Sequence, residues 1–291
     1  MKKLLLLTLS ITLLSMVVFS QNVGIGTNTP DSSALLELNS NSKGFLPPRL
    51  TIYQRNSIQN PAIGLVIFCS DCDELEIYNG TIWKSIVGNA GCVTPSLSNV
   101  TICNQVWTTK NLDVAKYRNG EPIPQVTDST QWSQLSTGAW CWYNNDSANY
   151  AATYGRLYNW YAVNDPRGLA PSGWHIPTKS EWDKMSKCLD PTVDSTLWGI
   201  TGTSIGTLLK ASSGWNNGGN GNNSSGFTAV PGGYRVNTGI FSKIGNYGIW
   251  WTSTENDTTF AWHCDLDCNN AKVMRTTTMK KLGFSVRLVR D

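Results

Sequence analysis

Residues 173–182 read Gly-Trp-His-Ile-Pro-Thr-Lys-Ser-Glu-Trp and mark the start of a helix. Thr178 and Glu181 have the spacing of a capping box, in which each side chain accepts a hydrogen bond from the other residue's free backbone N–H. Apolar residues then recur at helical spacing, at Trp182, Met185 and Leu189. The stretch predicts an amphipathic helix with one side against a core.

The pattern on either side of this helix indicates an α+β domain. Upstream, residues 148–163 carry tyrosines spaced to share one helical face. Downstream, a long loop region is followed by short apolar runs at 249–253 and 283–289, which predict strands. Two helices followed by loops and closing strands are typical of the α+β class.

The N-terminal part has a different texture. Short apolar runs alternate with turn residues, and Asn79-Gly80 between two alternating runs is a strong hairpin signal. We therefore predict a small β-rich module over residues 21–90, a linker over 91–97 and the α+β domain over 98–291.

Residues 1–20 have the pattern of a secretory signal peptide. Lys2 and Lys3 precede an apolar run, and Val18-Phe19-Ser20 resembles a cleavage site before Gln21. The alternative, a membrane anchor, would need a longer apolar span. We expect an exported protein at the cell surface or outside the cell, with no transmembrane segment.

Composition limits the partners. Without Lys2 and Lys3 the chain has 21 basic and 20 acidic side chains, and only 15% of all residues are charged. This balance argues against nucleic acid or an anionic membrane as a partner. A surface rich in Asn, Ser, Thr and Gly suits neutral, hydroxyl-rich ligands.

Eight cysteines in an exported chain predict disulfide bonds. Local pairs are favoured: Cys92 with Cys103, which bracket a short loop, and Cys69 with Cys72, which flank a predicted turn. The alternative for Cys69 and Cys72, a redox CxxC motif, would need a strand-to-helix context.

Four ordered motifs carry a family resemblance. They are residues 173–182, Gly226-Phe-Thr-Ala-Val-Pro-Gly-Gly-Tyr-Arg235, Trp250-Trp-Thr-Ser-Thr-Glu255 and Gly283-Phe-Ser-Val-Arg287. Together they resemble the Fib-succ-major (FISUMP) family of exported bacterial paralogues, over about residues 98–291. More distantly they resemble the C-type-lectin-like fold of formylglycine-generating sulfatase modifiers, which implies two helices, short strands and long loops.

Residues 22–85 resemble an N-terminal module of bacterial surface and tail-fibre-like proteins. The likeness is carried by Val23-Gly-Ile-Gly-Thr27 and Gly44-Phe-Leu-Pro-Pro-Arg49. It implies display or assembly at the cell surface, including self-association through this module.

The segment 212–226 is the main candidate for a binding site, because long loops inside compact domains are often functional. Its amides suit sugar hydroxyls or Ca²⁺, although no cofactor is required, and its Trp suits stacking on a sugar ring. The alternative is a flexible surface loop. The predicted ligand-binding residues are Trp215, Asn216, Asn217, Asn220, Asn222, Asn223, Trp250, Trp251 and Glu255.

A predicted strand at residues 261–268 offers a second candidate. His263, Asp265 and Asp267 alternate onto one face, where they would form a row of metal ligands; the alternative is a solvated strand face. Cys264 and Cys268 lie on the opposite face. They would serve an oxidase of the formylglycine-generating type, but their spacing is one residue shorter than that family's and the surrounding residues match poorly.

We therefore expect a binding protein rather than an enzyme. There is no Gly-x-Ser-x-Gly elbow, and His175 and His263 are the only histidines. The expected partner is an extracellular glycan or protein. The alternatives are a structural, self-assembling surface protein and the oxidase.

Overall fold

The computed structural model describes residues 22–86 and 97–291. The chain divides into two compact units, with the boundary between Pro48 and Arg49. Residues 49–86 thus share a compact unit with the C-terminal region, whereas the sequence texture places a boundary near residue 90. The predicted signal peptide, nearly all of the predicted linker and Cys92 lie outside the described residues.

The smaller unit contains one pair of strands. β1 (Val23–Ile25) and β2 (Leu36–Leu38) are parallel, with Val23 opposite Leu36 and Ile25 opposite Leu38. Residues directly opposite each other in a sheet point to the same face. The four apolar side chains therefore share one face of the pair.

The larger unit begins with a four-stranded sheet in the order β3-β4-β5-β6. Its elements are β3 (Arg49–Leu50), α1 (Ile52–Asn56), β4 (Val66–Cys69), β5 (Glu74–Tyr78) and β6 (Trp83–Ser85). The hairpin predicted around Asn79-Gly80 is confirmed, with Tyr78 opposite Trp83. Arg55 and Glu76 form a buried ion pair at 2.7 Å beneath this sheet.

Residues 97–291 combine short helices with small sheets, so the α+β class is confirmed. The elements are β7 (Asn99–Ile102), β8 (Gln105–Thr108), α2 (Ser129–Ser133), β9 (Trp140–Cys141), a 3₁₀ turn (Tyr143–Asn145), α3 (Ser147–Tyr154), β10 (Leu157–Tyr158), α4 (Trp160–Val163), β11 (Trp174–His175), α5 (Lys179–Leu189), β12 (Gly199–Thr201), α6 (Ile205–Leu209), β13 (Tyr234–Arg235), β14 (Phe241–Ser242), β15 (Tyr247–Glu255), β16 (Phe260–Asp267), β17 (Val273–Met279) and β18 (Val289–Arg290). The larger sheets have the orders β11-β18-β8-β7 and β12-β17-β16-β15.

The helix predicted from the capping box is confirmed as α5. Thr178 accepts from the backbone of Glu181, and Glu181 accepts from the backbone of Thr178. The helix predicted over 148–163 is wrong in its length. Gly155 has a positive φ of 67°, which ends α3 at Tyr154, and the Asn159 side chain then caps the separate helix α4.

The strand predicted over 283–289 is also shorter than expected. Only its end joins β18, while Gly283, Phe284 and Ser285 form isolated bridges to three different parts of the domain. This segment therefore links sheets instead of extending one.

Two apolar clusters pack on opposite faces of the sheet formed by β15, β16 and β17. Trp250 and Cys264 belong to one cluster, and Trp251 and Ala261 to the other. β16 is an inner strand, paired with β15 and β17. The predicted solvated face of this strand is therefore wrong.

The predicted disulfides are corrected by the fold. Cys103, in the turn after β7, bonds to Cys188 in the last turn of α5, which lies 85 residues away in the sequence. Cys69 is a free thiol whose Sγ lies 3.3 Å from that of Cys72, too far for a bond. Cys72 takes part in a different disulfide.

Candidate functional site

The three tryptophans predicted to bind ligand lie in the core. Trp215 is 4% exposed and donates from Nε1 to the carbonyl of Ala229, at 3.0 Å. Trp250 and Trp251 are fully buried. Their rings have no free face for a sugar, so the prediction of stacking at these residues is wrong.

The asparagines of segment 212–226 are largely used within the protein. Asn220 accepts from the backbone of Trp215, and Asn223 accepts from the backbone of Thr228. Asn216 donates to Asn246, and Asn217 donates to Asn269. Asn222 accepts from the backbone of Ser224. These bonds give the loop a defined shape, and binding of Ca²⁺ there stays a prediction.

The predicted metal row is not assembled. His263 and Asp265 are buried, with Nε2 of the histidine 3.4 Å from Oδ2 of the aspartate, while Asp267 accepts from the backbone of Asn269. In the described part of the chain, no group of three or more His, Cys, Asp or Glu side chains is placed to hold a metal ion. Glu255, predicted to bind ligand, is about half exposed and forms an ion pair with the buried Lys280.

Cys264 and Cys268 are both free, as the oxidase alternative requires, but they are buried. Burial raises the pKa of the Cys264 thiol far above its usual range. A reactive cysteine needs the opposite shift, because the thiolate is the nucleophile and the metal ligand. The site therefore disfavours oxidase chemistry.

A large cleft of about 910 Å³ lies in the larger unit, lined by residues that include Lys110, Tyr117 and Arg118. Arg118 is already committed to the carbonyls of Ala170 and Trp174. Arg118 is therefore not free to bind a ligand in this cleft.

An exposed aromatic pair stands out instead. Trp198, which precedes β12, is 60% exposed, the largest exposure of any of the thirteen tryptophans. Its ring centroid lies 4.5 Å from that of Trp262 on β16, with 57° between the ring planes. Leu197 and Ile200 are also about half exposed. We call these four residues the Trp198 platform.

The loop that carries Trp198 is pinned at both ends by Asp190. One carboxylate oxygen accepts from the backbone and hydroxyl of Thr192, and the other accepts from the backbone N–H groups of residues 203–205. Burial alone would raise the pKa of Asp190, but these hydrogen bonds hold it well below its usual range. The carboxylate therefore stays charged and fixes the loop.

Arg275 on β17 holds the middle of the same loop. Its buried guanidinium donates to the carbonyls of Asp194 and Leu197, at 2.6 and 2.7 Å, and pairs with Asp183 of α5. Trp198 itself donates from Nε1 to Oγ1 of Thr276, at 3.0 Å. The exposed ring is thus held in place from below and at its edge.

Residues 100–290 match the family model of the Fibrobacter succinogenes major domain, about two thirds of the chain. The chain belongs to the Fibrobacter succinogenes major domain family. Residues 24–102 match the model of a phage tail-like trimerisation region. No curated protein and no solved structure matches the chain.

The motifs that identify this Fibrobacter succinogenes major domain are structural. Arg287 is fully buried and donates to Asn111 and to the carbonyls of Thr108, Phe227 and Thr228. A second motif residue, Trp250, donates to the same Oδ1 of Asn111 as Arg287 does. Three of the four motifs therefore meet at one buried network.

The Trp198 platform lies outside those motifs, and the sequence analysis does not single it out. One signal was present: Leu197-Trp198-Gly199-Ile200 places three large apolar residues in a stretch between helices that is otherwise rich in Ser, Thr and Gly. Apolar residues concentrated in a polar connection indicate an exposed patch.

Proposed function

We propose that this protein is exported and self-associates through its N-terminal region, displaying the Fibrobacter succinogenes major domain outside the cell. The observation that supports self-association most strongly is the distribution of exposed apolar side chains. Among the described residues, eleven of the sixteen large hydrophobic side chains that are exposed lie in residues 23–86. A concentration of this kind is typical of an interaction surface.

In the smaller unit, the face formed by β1 and β2 carries four of these side chains. Val23, Ile25, Leu36 and Leu38 are 54%, 59%, 55% and 46% exposed, and they share one side of the parallel pair. A two-stranded pair is marginal in water by itself. Burial against other chains would stabilise it by about 1 kcal/mol for each half-exposed side chain.

The proposed occupant of this face is the same face of further copies of the chain. The match of residues 24–102 to a phage tail-like trimerisation region supports an assembly of three. Closed symmetric assemblies present the same surface on every copy, so a single apolar face is sufficient.

Export is supported by two independent features. The first twenty residues have the pattern of a signal peptide, and Cys103 and Cys188 form a disulfide of the kind that persists in oxidising compartments. No helix among the described residues is long and apolar enough to cross a membrane. The C-type-lectin-like fold stays a prediction, as does the absence of enzymatic activity, which the buried thiol of Cys264 supports.

Sedimentation velocity of the purified protein tests the assembly. Charges introduced by Leu36→Glu together with Leu38→Glu should convert the trimer to monomer, because burying an unpaired carboxylate in an apolar interface is costly. Ile240→Glu is the matched control, since Ile240 is 64% exposed but lies outside the N-terminal region. A wild-type monomer, or a double variant that stays trimeric, would contradict the proposal.

A further inference from the structure

We propose that the Trp198 platform binds a neutral saccharide through stacking on the Trp198 ring. The inference does not depend on self-association, because the platform lies within the C-terminal domain and is formed by one chain. Trp198 takes the stacking role that the sequence assigned to other tryptophans, which are buried in the structure.

The first argument is the cost of leaving these side chains in water. Of the five large hydrophobic side chains exposed in residues 97–291, three belong to the platform: Leu197, Trp198 and Ile200. Single exposed apolar residues need no explanation, but three such residues within four consecutive positions mark a contact site. The packed ring of Trp262 extends the aromatic surface.

The second argument is preorganisation. Asp190 fixes both ends of the loop, Arg275 fixes its middle, and Thr276 orients the Trp198 indole. A ring that is already held in its bound position loses little conformational entropy when a ligand arrives. Asp190 and Arg275, both buried and charged, thus hold an exposed ring in place. A surface loop without a function would not need this degree of order.

The third argument is the chemistry of the rim. Two partly exposed threonines of β17 lie next to the rings: Thr277 is the register partner of Trp262 and shares its face of the sheet, and Thr276 accepts from the Trp198 indole. Hydroxyl groups beside an aromatic face suit a ligand that has an apolar face and a polar edge. The ammonium group of Lys179 lies 5.0 Å from the Trp262 ring and is paired with Asp183 at 2.7 Å.

These features select a pyranose with equatorial hydroxyls. Such a ring points its hydroxyls outward and exposes C–H groups on its faces. The C–H groups are weakly positive, and the face of an indole is weakly negative, so the two attract when stacked.

Isothermal titration of the purified protein with cellohexaose tests the inference, since every ring of this oligosaccharide has equatorial hydroxyls. Trp198→Ala should weaken binding at least about tenfold, while Trp198→Tyr should retain part of the affinity because it keeps an aromatic face. Ile240→Ala is the matched control: the side chain is 64% exposed and apolar but lies outside the platform, and its loss should change affinity by less than about threefold.

The fold of each variant is checked by circular dichroism, and its assembly state by sedimentation velocity. The inference is overturned if wild type does not bind cellohexaose, if Trp198→Ala binds like wild type, or if Ile240→Ala loses as much affinity as Trp198→Ala. It is also overturned if Trp198→Ala dissociates the assembly, since the platform would then be a contact between copies. A wild-type monomer that binds cellohexaose would contradict the proposed assembly and leave this inference standing.

Discussion

At the scale of single residues, Arg287 shows how a cation can be buried without a carboxylate partner. Its guanidinium donates four hydrogen bonds, to one side-chain oxygen and three backbone oxygens, and it lies 4.5 Å from the ring of Phe227. Burial lowers the pKa of Arg287 to about 9, so the group is still protonated at neutral pH. Its planar fork joins three segments of the domain that are distant in sequence.

Arg287→Lys should therefore destabilise the protein although it keeps the charge. An ammonium group cannot reproduce the planar fork, and an oxygen left unsatisfied in the core is costly. We expect the free energy of unfolding to fall by about 3 kcal/mol or more, measured by urea denaturation. Arg290→Lys at the exposed residue 290 is the control, and an equal effect of the two substitutions would contradict this role of Arg287.

His175 provides a pH-dependent contact. Its Nδ1 lies 2.8 Å from Asp291 and its Nε2 lies 2.8 Å from Glu181. Burial opposes protonation, but the bonds to the two carboxylates outweigh it and raise the pKa of His175. Burial likewise opposes ionisation of Glu181, and its bonds from Thr178 and His175 lower the pKa of that carboxyl.

The sign of the effect follows from these two shifts. The raised pKa of His175 stabilises the fold fully below its ordinary value of 6.5, and this is lost as pH rises through the folded-state pKa. The lowered pKa of Glu181 stabilises the fold above 4.5 and is lost as pH falls through its folded-state pKa. We expect the melting temperature of His175→Gln to depend less on pH between about pH 5 and 8 than that of the wild type. The corresponding change in the free energy of unfolding should be less than about 1 kcal/mol, because the pair is partly exposed. An unchanged pH profile would refute this assignment.

At the scale of elements, the sequence predicted what depends on near neighbours. The capping box of α5 and the hairpin of β5 and β6 are decided within a few residues, and both are confirmed. The sequence did not predict the break at Gly155, because the helical spacing of the tyrosines continues across it. The helical backbone conformation, however, ends there. The burial of Trp215, Trp250 and Trp251 could not be predicted, since it depends on which segments cover them.

The disulfide between Cys103 and Cys188 joins the turn after β7 to the end of α5. Cross-linking residues 85 apart restricts the unfolded chain, so its removal should cost about 2–5 kcal/mol. We expect Cys103→Ser, Cys188→Ser and the double variant to lose similar stability in urea denaturation. Additive losses in the double variant would show that the two sulfurs do not form one bond.

At the scale of the whole molecule, exposed apolar surface is concentrated in two places. The N-terminal region carries most of it, and the Trp198 platform carries most of what remains in residues 97–291. The resemblance to the Fibrobacter succinogenes major domain family was predictable because it is carried by short, continuous sequence motifs, whose residues are required by the buried network. The platform was not predictable, since exposure of a tryptophan is a property of the folded surface.

Native mass spectrometry of the purified protein tests the central claim most directly. Self-association through the N-terminal region predicts a dominant species at three times the mass of the chain, which should persist when the protein is diluted to low micromolar concentration. A species at the mass of one chain under the same conditions would contradict the account.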